Sequence, residues 1–434
     1  VSSEDSIEAE EVLDLKGKFL LPGIVDAHVH FNQPGREEWE GFLTGTMAAA
    51  AGGVTTVIDM PLNSTPPTIG RRFLTGKLTD IQGKAFVDYA LWGGLVNNNL
   101  EELDDLSEGG VIGFKAFLCP SGIDEFSHLS DDLLYLGLSK AKDLGTVIGL
   151  HAENGSVTSL LEKKIRSFGR VDRLAWCESR PVETEDEAIS RACFWAQITG
   201  GYLHIVHVSS PSGIRIVEQS KERGANVTVE TCPHYLFFDQ QDFERIGPAL
   251  KCAPPIRERA LVEELWKCVK RGKIDTIGSD HSPCTWNHKE KGINNIWEAW
   301  GGISGIQSML PALLTEGYHK RRVPLTTLTR MLSSNPARIF GLYPKKGSLV
   351  PGADADLVVV NLDKEWVLTR EQLFYKNKFS PYVGYKFKGA VERTFVRGTT
   401  VYNNGEIVIS PGFGQFLRRF QPHRANEVDT VGGQ

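Results

Sequence analysis

Five side chains of the kinds that bind metal ions lie at the ends of predicted strands. His28 and His30 are two residues apart in the run IVDAHVH, and alternation along a strand places both imidazoles on one face. His151, His207 and Asp280 end three later runs of the same kind. One such histidine alone is more easily explained as a packed core residue, but five at equivalent strand ends indicate a metal site. The expected chemistry is metal-assisted hydrolysis.

The sixth predicted strand, YLHIVHV, contains two histidines. His204 and His207 differ by an odd number of positions, so alternation predicts that they face opposite sides of the sheet. His207 is nearer the carboxyl end, so we expect it to be the ligand and His204 to be structural. The same alternation turns His281 away from its neighbour Asp280, where it would support the site or contact substrate.

Lys115 lies in the apolar run VIGFKAF, where a charged amino group is costly to bury without a partner. One explanation is an ion pair with a carboxylate of the core. The other is that burial lowers the lysine pKa, the neutral amine captures carbon dioxide, and the carbamate bridges two metal ions. The spacing of residues does not decide between these explanations.

The elements that must position these side chains follow an alternating pattern. Short β-type runs alternate with segments of helical period, which is typical of βα units with a parallel sheet. The clearest helical periods cover residues 131–145, 185–200 and 258–272. Eight such units predict a closed (β/α)₈ TIM-type barrel with its functional groups at the carboxyl ends of the strands. The predicted strands are 24–30, 54–60, 85–92, 111–117, 146–151, 202–208, 226–230 and 274–280.

A small β domain is predicted beside the barrel, built from both ends of the chain. After the helical stretch 326–342, the segments 346–362 and 392–408 each indicate a pair of strands, the second turning at Asn403-Asn404-Gly405. The run 12–23 before the barrel also has β character. We therefore predict a satellite β-sandwich-like domain. The predicted regions are 1–23 for its N-terminal part, 24–342 for the barrel, and 343–434 for its C-terminal part and tail.

The composition of the 434 residues is that of a globular protein, with 41% hydrophobic and 24% charged residues. The net charge is −6 and no run of Lys or Arg forms the basic footprint that a phosphate backbone requires, which argues against nucleic acid as a partner. Uncharged stretches such as 43–58 are broken by glycines and fall short of the roughly 20 apolar residues of a membrane-spanning helix. We expect neither nucleic acid nor a membrane as partner.

The seven cysteines are widely spaced and contain no CxxC pair, which favours a reducing compartment. The acidic opening VSSEDSIEAEE does not have the form of a signal peptide. The expected location is therefore the cytoplasm. The sequence also does not begin with Met, so we expect that N-terminal residues are missing.

Taken together, these motifs resemble those of a known family. His28-Val-His30 after PGIVDA, Lys115 in GFKAF, His151 in HAENG, His207 in HVSS and Asp280 in GSDHSP resemble the cyclic amidohydrolases of the amidohydrolase superfamily. The resemblance covers about residues 12 to 410 and includes the closing run GADADLVVV. Within that group, HFNQPGREEWEGF, MPLNSTPPT, KCAPPIR and GSDHSP are most similar to the allantoinases.

The resemblance implies a binuclear metal centre, usually of zinc. His28, His30, Asp280 and a carbamylated Lys115 would surround one ion, and Lys115, His151 and His207 the other. Asp280 would also act as the general base. The strands that precede residue 12 in the satellite domain of the family are absent from this sequence.

The implied activity is opening of the hydantoin ring of allantoin to give allantoate. Asn32 lies where the similar dihydroorotases carry an Arg that binds the substrate carboxylate, so allantoin is expected to be hydrolysed at least about a hundredfold more efficiently than dihydroorotate. Asn63, Cys252, Ala253 and His281 are further candidates for substrate contact, and His234 is expected to support the pocket. The long loops 119–130 and 282–297 are expected to act as lids.

Two alternatives to this activity stay open at the level of sequence. The nearer one is a hydantoinase or dihydropyrimidinase. The other is a relative that keeps the barrel as a non-catalytic scaffold. The presence of all six ligand residues argues against this second alternative. The expected partner is a small cyclic ureide, and the family implies a homo-oligomer, either a dimer or a tetramer.

Overall fold

The structure is a computed structural model that describes residues 12–420. The acidic opening 1–11 and the tail 421–434 lie outside the described residues, so the outer parts of the two predicted satellite regions lie there too.

The strands, labelled in chain order, fall into a parallel barrel and a separate antiparallel sheet. They are β1 (Phe19–Pro22), β2 (Ile24–Val29), β3 (Val54–Asp59), β4 (Asp88–Leu91), β5 (Gly93–Gly94), β6 (Phe114–Phe117), β7 (Val147–His151), β8 (Tyr202–Ile205), β9 (Val227–Thr231), β10 (Thr276–Ile277), β11 (Leu357–Val367), β12 (Lys386–Val396), β13 (Thr399–Asn403) and β14 (Glu406–Ile407).

The barrel contains the eight predicted strand positions in their predicted order. Strands β2, β3 and β4 pair in parallel, and β5 to β10 form a second parallel run. Trp92 separates β4 from β5, so these two short strands together occupy the third position, and the Trp92 N–H donates to the Asp59 carbonyl. A parallel bridge between Val29 and His281 joins the first strand to the end of the last. The predicted (β/α)₈ fold is confirmed.

Helices of the described residues cover the outside of the barrel, and the three clearest helical predictions correspond to α4, α7 and α11. Stretches of π-helix at Leu314–Lys320 and Arg330–Ser334 follow α13 and α14. The α-helices are α1 (Phe42–Ala51), α2 (Arg71–Ile81), α3 (Leu103–Gly109), α4 (Asp131–Asp143), α5 (Gly155–Ser167), α6 (Arg173–Glu178), α7 (Val182–Thr199), α8 (Pro211–Glu222), α9 (Pro233–Phe237), α10 (Gln240–Ile246), α11 (Arg259–Lys270), α12 (Trp286–Glu290), α13 (Met309–Leu313), α14 (Leu325–Thr329) and α15 (Asn335–Ile339).

The antiparallel sheet takes strands from both ends of the chain, as predicted. Its order is β1-β11-β12-β13-β14, with Phe19 opposite Val360. The segment 346–362 contains the start of one strand instead of the predicted pair, because β11 finds its partners in the distant β1 and β12. The turn at Asn404-Gly405 is present, and a second turn at Arg397-Gly398 joins β12 to β13. The predicted domain limits stay predictions.

Buried charges connect this sheet to the barrel. The Lys346 amino group lies 2.5 Å from an oxygen of Asp88 at the start of β4 and 2.9 Å from an oxygen of Asp356. Arg397, from the turn after β12, also contacts Asp88. Because these side chains come from both sheets, their pairing fixes one against the other.

Within the described part of the chain, no helix is long and apolar enough to cross a membrane. All seven cysteines are free thiols. The expected cytoplasmic location stays a prediction.

Candidate metal centre

Three of the predicted ligands meet at the mouth of the barrel. The Nε2 atoms of His28 and His30 lie 3.3 Å and 3.5 Å from the same oxygen, Oδ1 of Asp280. His28 belongs to β2 and His30 follows it, whereas Asp280 comes from the segment after β10. The first and last strand positions of the barrel therefore supply one cluster of potential ligands, which is possible because closure of the barrel makes them neighbours.

Hydrogen bonds on the far side of each ring fix which nitrogen faces Asp280. Nδ1 of His30 lies 2.7 Å from the Leu62 carbonyl, which can only accept, so Nδ1 carries the proton. Nδ1 of His28 lies 2.7 Å from Oε1 of Glu230. Burial opposes ionisation of Glu230, but His28 and His204 lower its pKa to about 2, so Glu230 also accepts. In the neutral form of either ring the free lone pair is therefore on Nε2.

This arrangement fits a bound cation. Burial lowers the pKa of His28 and favours its neutral form. Burial acts to raise the pKa of Asp280, but the neighbouring His28 and His30 hold it below its usual range. Two nitrogen lone pairs and a carboxylate oxygen then face one another, and three acceptors at such distances need a positive charge between them.

Lys115 in β6 also fits the predicted chemistry. Its amino group is buried and has no hydrogen-bond partner among residues 12–420. It lies 4.7 Å from the centre of the Phe117 ring. Burial lowers the pKa of Lys115 to about 8, although Asp280 and Glu230 act in the opposite direction. A buried amine without a partner is costly, and this cost is removed if the nitrogen is modified or binds a ligand.

The remaining two predicted ligands continue the cluster. The ring centres of His151 and His207 are 4.5 Å apart, and those of His207 and His28 are 5.4 Å apart. Nε2 of His151 lies 2.7 Å from Oε2 of Glu153, which also pairs with Arg180 at 2.9 Å. Burial acts to lower the pKa of His151, but its contacts with Cys119 and Glu153 raise it to about 9. Nδ1 of His207 has no hydrogen-bond partner in the described chain, and burial lowers the pKa of His207 well below its usual value.

The backbone at two of these residues differs from the prediction. Strand β8 ends at Ile205 and β10 at Ile277, so His207 and Asp280 lie in loops and not in strands 202–208 and 274–280. Both have left-handed backbone, with φ of 43° and 44°. Such conformations cost of order 1–3 kcal/mol in residues other than glycine and occur often at functional sites. Here they turn each side chain inward.

His204 lies apart from the cluster, although the alternation argument that separated it from His207 does not apply beyond the end of β8. Its Nδ1 lies 2.8 Å from the Thr228 hydroxyl. Its Nε2 lies 3.7 Å from Glu230, and its ring packs edge-on against Phe340. His204 thus supports the barrel wall and the carboxylate that orients His28.

The predicted substrate contacts divide into two groups. Asn63, Cys252 and Ala253 line a cavity of about 420 Å³ whose floor contains the six predicted ligands. Asn32 and His281 are not among its lining residues, and their contact with substrate stays a prediction. Asn32 has left-handed backbone, and its amide donates to the Pro283 carbonyl at 3.1 Å.

His281 lies apart from the ligand cluster, although the alternation argument does not apply beyond the end of β10. Its Nδ1 accepts a hydrogen bond from the Gly305 backbone at 3.2 Å, and its Nε2 lies 3.5 Å from buried Glu40. The ring also packs against Tyr375. His281 therefore stabilises the wall between the barrel and the following loops. His234 is buried beside the site without lining the cavity.

Both predicted lid loops contribute to the cavity wall, with residues 119–122 from one and Ser282, His288, Lys291 and Trp297 from the other.

Sequence reasoning missed the wall residues Trp176, Arg180 and Lys251 and the orienting carboxylates Glu153 and Glu230. A charged residue at the end of an apolar strand, as in VTVET, was the available signal for Glu230. Metal-type ligands among the described residues form three groups: His28, His30 and Asp280; Cys119, His151 and Glu153; and Cys232, His234 and Asp280.

Comparison with known sequences gives matches over nearly the whole chain. A sequence model of the amidohydrolase family matches residues 19–401. An allantoinase of Deinococcus radiodurans is 46% identical over 418 residues, covering 96% of this chain and 92% of the relative. An allantoinase of Rubrobacter xylanophilus is 47% identical, with 94% and 89% coverage. One from Escherichia coli is 40% identical, with 96% and 92% coverage.

Solved structures with the same fold are hydantoinases and dihydropyrimidinases. The L-hydantoinase of Arthrobacter aurescens is 38% identical with a TM-score of 0.93, covering 95% of this chain and 92% of that one. The dihydropyrimidinase of Brevibacillus agri is 31% identical with a TM-score of 0.88 and the same coverage. The sequence and the fold agree: the chain belongs to the amidohydrolase family and, within it, to the allantoinases.

Proposed function

We propose that this protein hydrolyses the cyclic amide bond of allantoin to give allantoate. The observation that carries the proposal is the convergence of two histidine Nε2 atoms on the Asp280 carboxylate, at the floor of a cavity beside a buried lysine. Relatives named allantoinases, 40–47% identical over nearly the full chain, support allantoin as the substrate.

We propose a binuclear centre of divalent ions, zinc by analogy with the family. His28, His30, Asp280 and Lys115 would hold one ion, and Lys115, His151 and His207 the other. When bound, such ions activate water and polarise a carbonyl. This assignment is supported by the lone pairs on Nε2 of His28 and His30, by the free Nδ1 of His207, and by the unpartnered Lys115 amine.

Lys115 would act as its carbamate. The neutral amine attacks the carbon of carbon dioxide, an N–C bond forms, and one N–H proton is released to solvent. The product is an anion with two oxygens, which can bridge where a single amine cannot. The lowered pKa of Lys115, about 8, favours this step because a larger share of the amine is unprotonated near neutral pH than for an exposed lysine.

Asp280 would carry the proton of the reaction. Its carboxylate takes a proton from the attacking water and passes it to the ring nitrogen as the C–N bond breaks. The carbonyl carbon becomes the carboxylate of the product, and the nitrogen becomes part of a second ureido group. The lowered pKa of Asp280 keeps the carboxylate ready to accept, and its position at the cavity floor gives it access to the ring.

Asn63, Cys252 and Ala253 would contact the ring and its ureido tail. They line the cavity above the ligand cluster, and Asn63 contributes an uncharged amide. Allantoin is neutral and polar, so amide and backbone groups suit it better than a fixed charge would.

The test is to compare kcat/KM for allantoin, hydantoin, dihydrouracil and dihydroorotate with the metal-loaded enzyme. We expect allantoin to be the best of the four. Hydantoinase activity is the second candidate, favoured by the TM-score of 0.93 with an L-hydantoinase. Equal or faster turnover of hydantoin would establish that alternative.

Metal content separates an enzyme from a non-catalytic scaffold. We expect two divalent ions per chain, about 3.5 to 4 Å apart as in other two-metal hydrolytic sites. Metal analysis of the purified protein, followed by chelation and reconstitution, measures both the number and its link to activity. A fully loaded protein with one ion per chain would contradict the binuclear proposal.

We also propose a homo-oligomer, either a dimer or a tetramer. The neighbouring helices α4 and α7 expose the large apolar side chains Leu136, Phe194 and Ile198, which favours association with a second copy. Light scattering on the intact chain measures the mass. A monomer at micromolar concentration would contradict the proposal.

A further inference from the structure

One wall of the cavity is a segment with little regular structure. Residues 296–302, which we call the roof segment, contain a single 3₁₀ turn, Ile296–Glu298. Six of the seven residues line the cavity, including Trp297 and Trp300. Because the segment belongs to neither a helix nor a sheet ladder over most of its length, its carbonyl groups must find hydrogen-bond donors elsewhere.

Two buried lysines supply these donors. The Lys251 amino group donates to the carbonyls of Ile296 at 2.8 Å and Ala299 at 2.7 Å, and lies 3.4 Å from that of Trp297. The Lys289 amino group donates to the carbonyls of Gly302 at 2.6 Å and Trp300 at 2.9 Å. Five of the seven carbonyl groups of the roof segment are thus bound by two side chains.

The surroundings of these lysines differ from those of the buried lysines Lys77 and Lys346. Lys77 pairs with Asp59 and Lys346 with Asp88, both at 2.5 Å. Within residues 12–420, neither Lys251 nor Lys289 has a carboxylate at ion-pair distance, and the Lys251 nitrogen instead lies 4.2 Å from the centre of the Trp176 ring. Burying an amino group without a counter-charge is costly. For Lys251 and Lys289, the hydrogen bonds to the carbonyl groups of the roof segment offset this cost.

Lys251 also connects the roof segment to the opposite wall of the cavity. The Lys251 carbonyl accepts a hydrogen bond from the Gly302 backbone at 2.8 Å, and Cys252 and Ala253, which follow Lys251, line the cavity. Gly302 has a φ of 131°, and a Cβ there would lie 2.3 Å from the Ser282 carbonyl oxygen. The end of the roof segment is therefore fixed closely against two neighbouring segments.

We propose that Lys251 and Lys289 are positioning residues that hold the roof segment in place over the substrate cavity, so that Trp297 and Trp300 form a ready-made wall for the substrate. The proposal rests on the proposed function for the identity of the substrate but not for the order of the segment. Removing either lysine should loosen the segment and weaken substrate binding, while leaving the metal ligands untouched.

The experiment uses the metal-loaded full chain with Lys251→Met, Lys289→Met and the control Lys267→Met. Lys267 lies on α11, is exposed, and pairs only with its neighbour Glu264. Hydrogen exchange of peptides covering 296–302 is measured without substrate, and kcat, KM and metal content are measured for each variant. We expect exchange in the roof segment and KM for allantoin each to rise about tenfold in the two test variants, since two hydrogen bonds of ordinary strength are lost.

In the same variants kcat should change less than about threefold and metal content should not change, because neither lysine touches a ligand. Unchanged exchange in both variants, or loss of metal together with kcat, would overturn the proposal. If a Met variant does not fold, Lys289→Gln retains two of the three N–H donors on a shorter side chain and should give an intermediate increase in exchange, whereas wild-type exchange in it would count against the proposal. Exchange without substrate tests the positioning role even if allantoin is not hydrolysed.

Discussion

At the level of single residues, the orientation of the histidines depends on acceptors far away in the sequence. Glu230 orients His28 from 202 residues away, and the Leu62 carbonyl orients His30. The HxH spacing and the strand ends predicted five side chains that the fold brings together, and Lys115 was predicted from its place in an apolar run and from the family resemblance. Glu230 and Glu153 were not assigned, because a carboxylate near a strand end does not show in the sequence which histidine it will bind.

Lys115 offers the sharpest test at this scale. In Lys115→Ala we expect both metal ions to be lost and kcat to fall by about a thousandfold or more, because one bridging group is removed from two sites at once. Metal analysis and steady-state kinetics measure these effects. A small added carboxylic acid such as propionate should restore part of both, since it can occupy the vacated space.

The matched control is Lys267→Ala with and without propionate, which should show no change in either measurement. A Lys115→Ala protein that retains two ions and most of its activity would exclude the bridging role.

His204 and His207 provide a paired test within one short segment. His207→Asn should lower metal content by at least about half an equivalent per chain, because a ligand with a free ring nitrogen is lost. His204→Asn should leave the metal content unchanged, because the His204 ring binds Thr228 and packs on Phe340 and does not face the ligand cluster. Metal analysis of both variants after identical purification is the measurement. The reverse pattern would mean that the ligand has been misassigned.

At the level of elements, strand positions were easier to predict than strand ends. All eight barrel strands lie within or next to their predicted ranges, since alternating β and helical periods locate them well. Strands β8 and β10 end early because His207 and Asp280 adopt left-handed backbone, which a strand cannot continue through. The sequence carries no local sign of this, because neither residue is glycine.

Lys251, which holds the roof segment, should make the free energy of unfolding depend on pH. Burial, together with the positive charges of Lys289 and Arg180, lowers the pKa of Lys251 from 10.5 to about 7. Between these values the unfolded chain binds more protons at this residue than the folded chain, so folding stability rises with pH. The free energy of unfolding of the wild type relative to Lys251→Met should therefore increase by roughly 1 kcal/mol per pH unit between pH 7 and 10.

Urea unfolding of both proteins at several pH values measures this difference, and groups other than Lys251 cancel in the comparison. A difference that stays flat or falls with rising pH would show that Lys251 keeps its proton in the folded protein.

At the level of the whole molecule, the charged contact between the barrel and the antiparallel sheet should matter for stability and not for chemistry. Lys346→Met leaves Asp88 and Asp356 buried without their shared partner, which should lower the free energy of unfolding by about 3 to 5 kcal/mol. Metal content and KM should not change. Denaturant unfolding and metal analysis test the two statements, and a loss of less than about 1 kcal/mol would mean that the contact is not important.

The whole-molecule prediction succeeded where elements could be counted and was less successful where loops determine the outcome. A barrel with a sheet from both chain ends followed from the order of the β runs. Asn32 was assigned to substrate contact from the resemblance to dihydroorotases, and His281 from its place beside Asp280. Their side chains bind groups of the wall, and only the path of the loops decides this.

The meeting of the two ends of the barrel at one carboxylate has a consequence for biosynthesis. His28 and His30 leave the ribosome early, but Asp280 emerges only after every barrel strand has been synthesised. Strand β1 can pair only after β11, which is synthesised later still. A nascent chain that stops before residue 280 contains five of the six proposed ligands and lacks only Asp280. Acquisition of the full set of ligands is therefore a late event, and a shortened message would produce a protein with an incomplete site instead of a weaker enzyme.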